Sequence, residues 1–589
     1  MTQDSHVKIF FDDCQIGKTL ALEQGLDCND QITVEAWLNC SDARAEGVQQ
    51  IVGQWALAEQ MTGFAAYDAG HSSDLDTTGF FGAVFDGQYV YFVPQHDTES
   101  RHGKVLRLNT HSEFKDPSSW CGYDAGTTQG LNTKGYYGAA FDGRHIYFVP
   151  RRDAQNFHSR ILRYDTHGKF TDPLSWQAHD AGLSCSYQSS AFDGRYIYFA
   201  PGHTAVHRDS VSEKPKFASP PVTGMDPNYY LVGNSLVMRY DTRGGFHDKS
   251  SWTTYDATGT NGLNACDYDG AVFDGSYVYF VPLSTATILR FDTRKEFESS
   301  QSWEAFDANP LGLELCVGGV FDGRHIYFVP YGISKTAVRF DTQGEFTDSM
   351  SYETYLIAKT LGQKVKGFDG AFFDGKYIYF IPYYDGGTLF HGQTLRFDTS
   401  ARRFDDSVYW SSCDATTTDG LQTKGFNGGA TDGRFLYYAA WMDGVHFPAK
   451  IRGNGRILRY DTVATDIGAS FSLRYVDLGH NGGLCASLPG TRFLVNTERG
   501  CFSISANEPP LAGRHYIAGV YDGNSLKLYI DGKLVNERAA SGRICASTAN
   551  LCIGQIQNGL GKFRGSIDRL RISNIARSEN WIRHSIYGD

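Results

Sequence analysis

One phrase recurs along the middle of this 589-residue chain and constrains how it can fold. Phe-Asp-Gly, followed by a short apolar run rich in Tyr and Phe, begins at Phe85, Phe141, Phe192, Phe273, Phe321 and Phe373, and returns as Thr-Asp-Gly at Thr431. The steps of 56, 51, 81, 48, 52 and 58 residues define seven units. A unit in full runs from Gly135 to Pro150, then Arg160 to Thr166, then Ser175 to Ala181. Each reads as four short strands. The first ends at Asp-Gly, a hairpin signal. The second ends in Pro, the third is the Leu-Arg-Tyr-Asp-Thr type, and the fourth carries Trp. Four antiparallel strands repeating every ~40–60 residues are the signature of a propeller blade.

The repeat also predicts how the ring closes. Gly63–Ala69 matches the fourth-strand phrase but precedes the first complete unit, and the last unit stops after Thr462 without a fourth strand. Residues 63–69 are therefore expected to complete blade seven, a three-plus-one closure that removes exposed edges. Gly82, Gly138, Gly270, Gly318, Gly370 and Gly428 recur on the first strand, with Ser189 as the exception. Crowding of the blades at the axis explains a demand for small residues there. Gly at 65 residues and an aromatic content of 14% fit an all-β chain rich in turns.

The flanks are unrelated to the repeat. Gly513-Arg-His-Tyr-Ile-Ala-Gly-Val-Tyr-Asp-Gly, then Leu526–Val535, then Phe563–Ser573 resemble three strand phrases of the concanavalin-like, laminin-G-like jelly rolls, in order. The opening strands of that family are found at the N-terminus instead, as Ile32–Leu38 and Ile51–Trp55. The expected organisation is a jelly roll split into residues 1–61 and 463–589, with a seven-bladed propeller, 62–462, inserted into it. The Phe-Asp-Gly repeats are similar to those of uncharacterised bacterial propellers, a resemblance that implies fold and no activity. The jelly-roll resemblance implies a Ca2+ near the sheet edge, with hard carboxylate oxygens from Asp568 and from Asp12 or Asp13. The alternative is that Asp568 only caps a turn.

Chemistry is expected on the top face, where strands two and three, and strands four and one, are connected. Long two-to-three loops fall on blades six, seven, one, two and three, one continuous arc, and blade three carries the longest, residues 201–235. The arc contains His102, Arg151, Arg152, Asp153, His158, His203, His207, Arg208, Tyr384, Asp385, His391, Trp441 and Asp443. An Asp followed by His recurs in blades one, two and six, read either as a polar cup for a hydroxylated ligand or as a pair bonded across its own hairpin. The residue before the recurrent small one varies: Phe81, Tyr137, Gln188, Asp269, Val317, Asp369 and Asn427. Blade packing does not dictate it, so it is expected to face the mouth of the axial channel.

Three function classes follow. The preferred one is carbohydrate recognition, with aromatic rings beside carboxylates for a glycan or polysaccharide partner. The second is a polysaccharide lyase or glycoside hydrolase, with Asp269, Asp369, His158 and Tyr384 as catalytic candidates. The third is a protein-interaction platform. A net charge of −12 argues against a uniformly basic nucleic-acid binder. No apolar run is long enough to span a membrane as a helix. The start lacks a basic and an apolar segment, so the expectation is a protein made without a secretory signal or one from which it was trimmed. The 12 cysteines show no zinc spacing and read as free buried thiols, with a disulfide among Cys14, Cys28, Cys485 and Cys501 as the alternative. Sialidase boxes, nucleophile elbows, phosphate loops and zinc-protease motifs are absent from the sequence.

Overall fold

The computed structural model describes residues 7–14, 16–21, 26, 28, 30–40, 47–154, 156–210, 228–362, 367–385, 387, 389–445, 450–464, 468–477, 485–486, 490–506, 513–556 and 562–587. The fold is all-β, a propeller joined to a jelly roll. Among the described residues, seven sheets built on four antiparallel strands follow one another, starting with Phe80–Phe85, Tyr136–Phe141, Cys185–Phe192, Tyr268–Phe273, Cys316–Phe321, Phe368–Phe373 and Phe426–Thr431. Each of these inner strands contacts the next, and the last contacts the first. The outer strand of the last sheet is Phe64–Asp68, which pairs Tyr460 with Phe64 and Arg456 with Asp68.

The repeated phrase is a hydrogen-bonding unit. Asp86 Oδ1 accepts the backbone N–H groups of Gln88 and Tyr89, both at 2.7 Å, and Oδ2 accepts the Tyr91 hydroxyl at 2.9 Å. The Asp–Tyr bond recurs at Asp142–Tyr147, Asp193–Tyr198, Asp274–Tyr279, Asp322–Tyr327, Asp374–Tyr379 and Asp432–Tyr437. One carboxylate thus caps the turn and satisfies a buried phenol, which is why Asp and Tyr keep their spacing. The fourth-strand Trp locks its own blade and the next contact. Trp176 Nε1 donates to Phe170 O at 2.9 Å while its ring stacks on Tyr123 of the preceding blade at 5.2 Å.

The recurrent glycine has a reason beyond crowding. In all seven sheets the first strand slips register against the second just after its first aromatic or apolar residue, as between Phe80 and Ala83. This is a β-bulge, and the small residue in it has positive φ: 85° at Gly82, 84° at Gly138, 134° at Gly270, 72° at Gly318, 81° at Gly370 and 65° at Gly428. Crowding contributes too, since a Cβ on Gly270 would lie 3.0 Å from Gly318 Cα. Ser189 adopts φ 95° at the same place, is fully buried and leaves its hydroxyl without a hydrogen-bond partner. Ser189→Gly is therefore expected to raise stability by about 1–2 kcal/mol. A chemical-denaturation midpoint that stays unchanged or falls would contradict this.

The jelly roll is two six-stranded antiparallel sheets, and both draw on the two ends of the chain. Ile32–Cys40 lies between Gly565–Ser573 and Gly513–Tyr521, and Gly47–Trp55 lies between Leu551–Ile553 and Ala469–Asp477. Ile32, Val34, Ala36 and Leu38 alternate with outward residues and pack on Phe471, Leu473, Phe493 and Ile567. The two chain crossings lie side by side: Ala58 N–H donates to Thr462 O at 2.7 Å. The jelly roll docks on the propeller face opposite the top. Arg474 donates to Gly433 O at 3.1 Å, and His111 packs on Phe502 with ring centroids 4.7 Å apart. From the same side the backbone of Cys485–Ala486 pairs parallel with Ala83–Val84 on the inner strand of blade one. Among the described residues, Cys40, Cys121, Cys185, Cys266, Cys316, Cys413, Cys501, Cys545 and Cys552 are free thiols.

Candidate functional site: the axial mouth

The bulge turns one residue of every blade toward the axis, and those residues form a buried floor. Phe81, Tyr137, Gln188, Asp269, Val317, Asp369 and Asn427 are all 4% exposed or less. They meet across blades. Asp269 Oδ2 accepts Tyr137 Oη at 2.7 Å, from two blades away, and Gln188 Nε2 at 2.8 Å. Gln188 Oε1 lies 2.9 Å from His203 Nδ1, and His203 Nε2 lies 3.3 Å from Asp267 Oδ1. Burial, together with the mutual repulsion of two carboxylates, raises Asp369 well above the usual range, and burial raises Asp269. Asp267 takes φ 62° where blades one, two, six and seven have glycine, and it also accepts the Ser284 hydroxyl.

A second tier rests on this floor. It consists of the residue after the proline that ends strand two, or after Ala440 in blade seven: Gln95, Arg151, Gly202, Leu283, Tyr331, Tyr383 and Trp441. The Arg151 guanidinium covers the Tyr137 ring at 4.3 Å, and Trp441 meets Phe81 at 5.8 Å. Gly202 makes room for Gln188, whose Cγ would be 2.7 Å from any Cβ there. Trp441 Nε1 donates to Gln95 Oε1 at 2.8 Å. Tyr331 stacks on Tyr383 at 5.6 Å, Tyr383 meets Trp441 at 5.6 Å, and Tyr384 stands edge-on to both tyrosines. The mouth therefore has an aromatic wall over blades five to seven. Over blades one and two it has a cationic wall. Arg101 reaches across to blade two, where its Cδ would be 3.4 Å from a Cβ on Gly135, beside the Arg152 backbone. Burial and the guanidiniums of Arg152 and Arg151 push Arg101 well below the usual arginine range. Arg101 Nε and Nη1 and Arg151 Nε have no hydrogen-bond partner.

The histidines of the arc do something else. His102, His158 and His391 each point Nε2 at a backbone carbonyl of the preceding four-to-one connection: Thr78 O, Lys134 O and Gly367 O, all at 2.9 Å. Each accepts a backbone N–H on Nδ1, from Lys104, Arg160 and Gln393. Both ring nitrogens of these three carry hydrogen bonds within the protein, so His102, His158 and His391 act as staples of their blades. The aspartates are spent as well, but not on the histidines. Asp97 and Asp153 cap their own loops and pair with Lys104 at 3.0 Å and Arg160 at 2.6 Å. Asp385 accepts the N–H groups of Gly387 and Leu389.

The remaining predicted residues divide. Arg151, His203, Tyr384 and Trp441 converge on the mouth, with Asp269 and Asp369 beneath. Arg152 is buried next to them, its Nε 3.4 Å from Asp153 O. Asp443 pairs with Arg452 at 3.2 Å and with Arg456, lining a separate cleft of about 660 Å3 with His71 and Thr98 between blades seven and one. His207 and Arg208 lie at the far end of the half-buried pairing between Tyr196–His207 and Tyr229–Gly233, where the exposed Arg208 lies over Tyr230. In the jelly roll the strand register sets Asp13 opposite Asp568, and the side chain of Asp12 lies outside the described residues. Sequence reasoning missed Gln95, Arg101 and Asp267 and did not place Leu283 or Tyr331 at the site. Variation at the post-proline position of an otherwise constant repeat was the available signal.

Residues 458–583 match the family model of the concanavalin A-like lectin/glucanases superfamily. Among solved structures, the chain is similar to the β-propeller domain of Cps50 (Swd1) from Myceliophteria thermophila, at 8% identity and TM-score 0.37 over 66% of this chain and 98% of that one. It is similar to YjhT at 9% identity and TM-score 0.32, over 74% and 99% of the two chains. A third likeness is to the CBM40 module of the Ruminococcus gnavus IT-sialidase, bound to α2,3-sialyllactose, at 17% identity and TM-score 0.15 over 19% of this chain and 62% of that one. No curated protein matches the chain. By its own sheet topology the chain is an all-β protein that combines a propeller with a jelly roll, and the family match falls mainly on the second part of that jelly roll.

Proposed function

We propose that the protein recognises a glycan, one carrying acidic groups, at the axial mouth of the propeller. The observation that carries this reading is an aromatic wall, Tyr331, Tyr383, Tyr384 and Trp441, at the same end of the ring as the guanidinium groups of Arg101 and Arg151, each of which has a buried Nε with no hydrogen-bond partner. Sugar C–H faces stack on aromatic rings, while hydroxyls and carboxylate or sulfate groups need fixed donors. The concanavalin-like match of the jelly roll is consistent with the same ligand class. Cleavage finds less support. His158 has no free ring nitrogen, burial raises the Tyr384 hydroxyl above its usual range, and Asp269 and Asp369 are each 1% exposed. A platform reading gains little either: the strongly exposed Leu174, Met350 and Val408 stand singly, each on a turn of a different blade.

A glycan-array screen followed by calorimetry tests the reading. Trp441→Ala is expected to weaken the best acidic glycan about ten- to hundredfold, while His207→Ala leaves affinity unchanged. Binding that is indifferent to Trp441, or hits confined to neutral sugars, would count against it.

A further inference from the structure

Beneath the aromatic wall, polar atoms lack partners where burial makes that most costly. Neither oxygen of Asp369 has a hydrogen-bond partner, nor has Asp269 Oδ1, nor has either amide atom of Asn427. Asp269 and Asp369 are 1% exposed and Asn427 is fully buried. All three occupy the bulge position, on blades four, six and seven, and so lie at one level along the axis. At this level Tyr137 reaches Asp269 from two blades away. Asp269 and Asp369 also act on each other electrostatically, each held up by burial.

The guanidinium that acts on both carboxylates is that of Arg151, which lies over the Tyr137 ring. A proton on one carboxyl would remove one charge but would leave the other acceptors and the Asn427 amide unsatisfied. Four oxygens remain: both of Asp369, Oδ1 of Asp269 and Oδ1 of Asn427. A donor set made only of oxygen, with no thiolate or imidazole, suits a hard cation. We propose that the propeller axis binds a hard cation of the calcium kind between Asp269, Asp369 and Asn427. Among the described residues no group of three or more His, Cys, Asp or Glu is arranged for a metal. This site differs in using two carboxylates and an amide oxygen. The inference does not depend on the glycan reading. A cation here ties blades four, six and seven together at the centre of the ring.

The test uses the full chain, dialysed against chelator into a sodium-free buffer. Adding CaCl2 is expected to raise Tm by at least about 3 °C, with heat of binding at one site per chain. Asp369→Asn is expected to abolish both responses, and Asp568→Asn, in the jelly roll, to keep them. Should Asp369→Asn fail to fold, terbium emission excited through Tyr137 in the wild-type protein, and its loss in Asn427→Ala, reads the same site. Three results overturn the proposal: no response to Ca2+, Mg2+ or Na+ in Tm or heat; a full response in a folded Asp369→Asn; or a response lost in Asp568→Asn instead.

Discussion

Between pH 6.5 and pH 4 each of three histidines is expected to withdraw about 3 kcal/mol of stability. Burial holds His102, His158 and His391 at about 4 against an ordinary 6.5. The structural cause is specific. Each Nδ1 accepts a backbone N–H, so a proton placed there would set donor against donor. The unfolded chain takes up these protons first, so the stability they confer is complete above pH 6.5 and drains away as pH falls toward 4. Asp269 and Asp369, held high by burial, act in the opposite direction. Replacing one histidine therefore isolates its share. Gln can donate to the carbonyl and accept the N–H without titrating, so His391→Gln is expected to reduce proton uptake on unfolding near pH 5 by about one. Denaturant titrations at several pH values measure this. An unchanged slope would mean that the ring is not held as described.

A chain beginning at residue 71 is expected to yield no folded monomer. It lacks Phe64–Asp68, so blade seven would expose Arg456–Asp461 as an open edge, and Trp120 would lose the Tyr67 ring stacked on it at 5.2 Å. It also lacks Ile32–Cys40, the strand between Gly513–Tyr521 and Gly565–Ser573, whose apolar residues fill the jelly-roll core. The loss falls on both parts of the molecule at once. Co-expression of residues 1–70 is expected to restore soluble protein. Size-exclusion chromatography and circular dichroism of the truncated chain decide the matter, and a folded monomer from the short chain alone would contradict the closure.

The propeller and the jelly roll were legible because their signals are repetitive. Phe-Asp-Gly and the Tyr five residues after its Asp are one hydrogen-bonding unit, so their spacing cannot drift. The fourth-strand phrase at 63–69 stood out because it had no blade of its own. The floor of the mouth was legible by contrast, as a varying position in a largely constant phrase. The recurrent glycine was read as a packing requirement, whereas positive φ in a bulge is the stronger demand, and Ser189 marks where that demand is overridden. The role of the histidines stayed open in the sequence because a repeated Asp and His in a loop suits a polar cup and a hairpin pair equally. Their partners are backbone carbonyls of another connection, Thr78, Lys134 and Gly367, which leave no mark in side-chain sequence. Arg101 was overlooked because its role appears only when blade one leans on blade two at Gly135.

The central claim is that an acidic glycan sits at the axial mouth. The most direct measurement is a crystal structure of the protein with the tightest-binding glycan from the array. The account predicts a sugar ring against Trp441 or Tyr384, with an acidic group within hydrogen-bonding distance of Arg101 or Arg151. Ligand density confined to the jelly roll, or to the cleft beside Asp443, would contradict it.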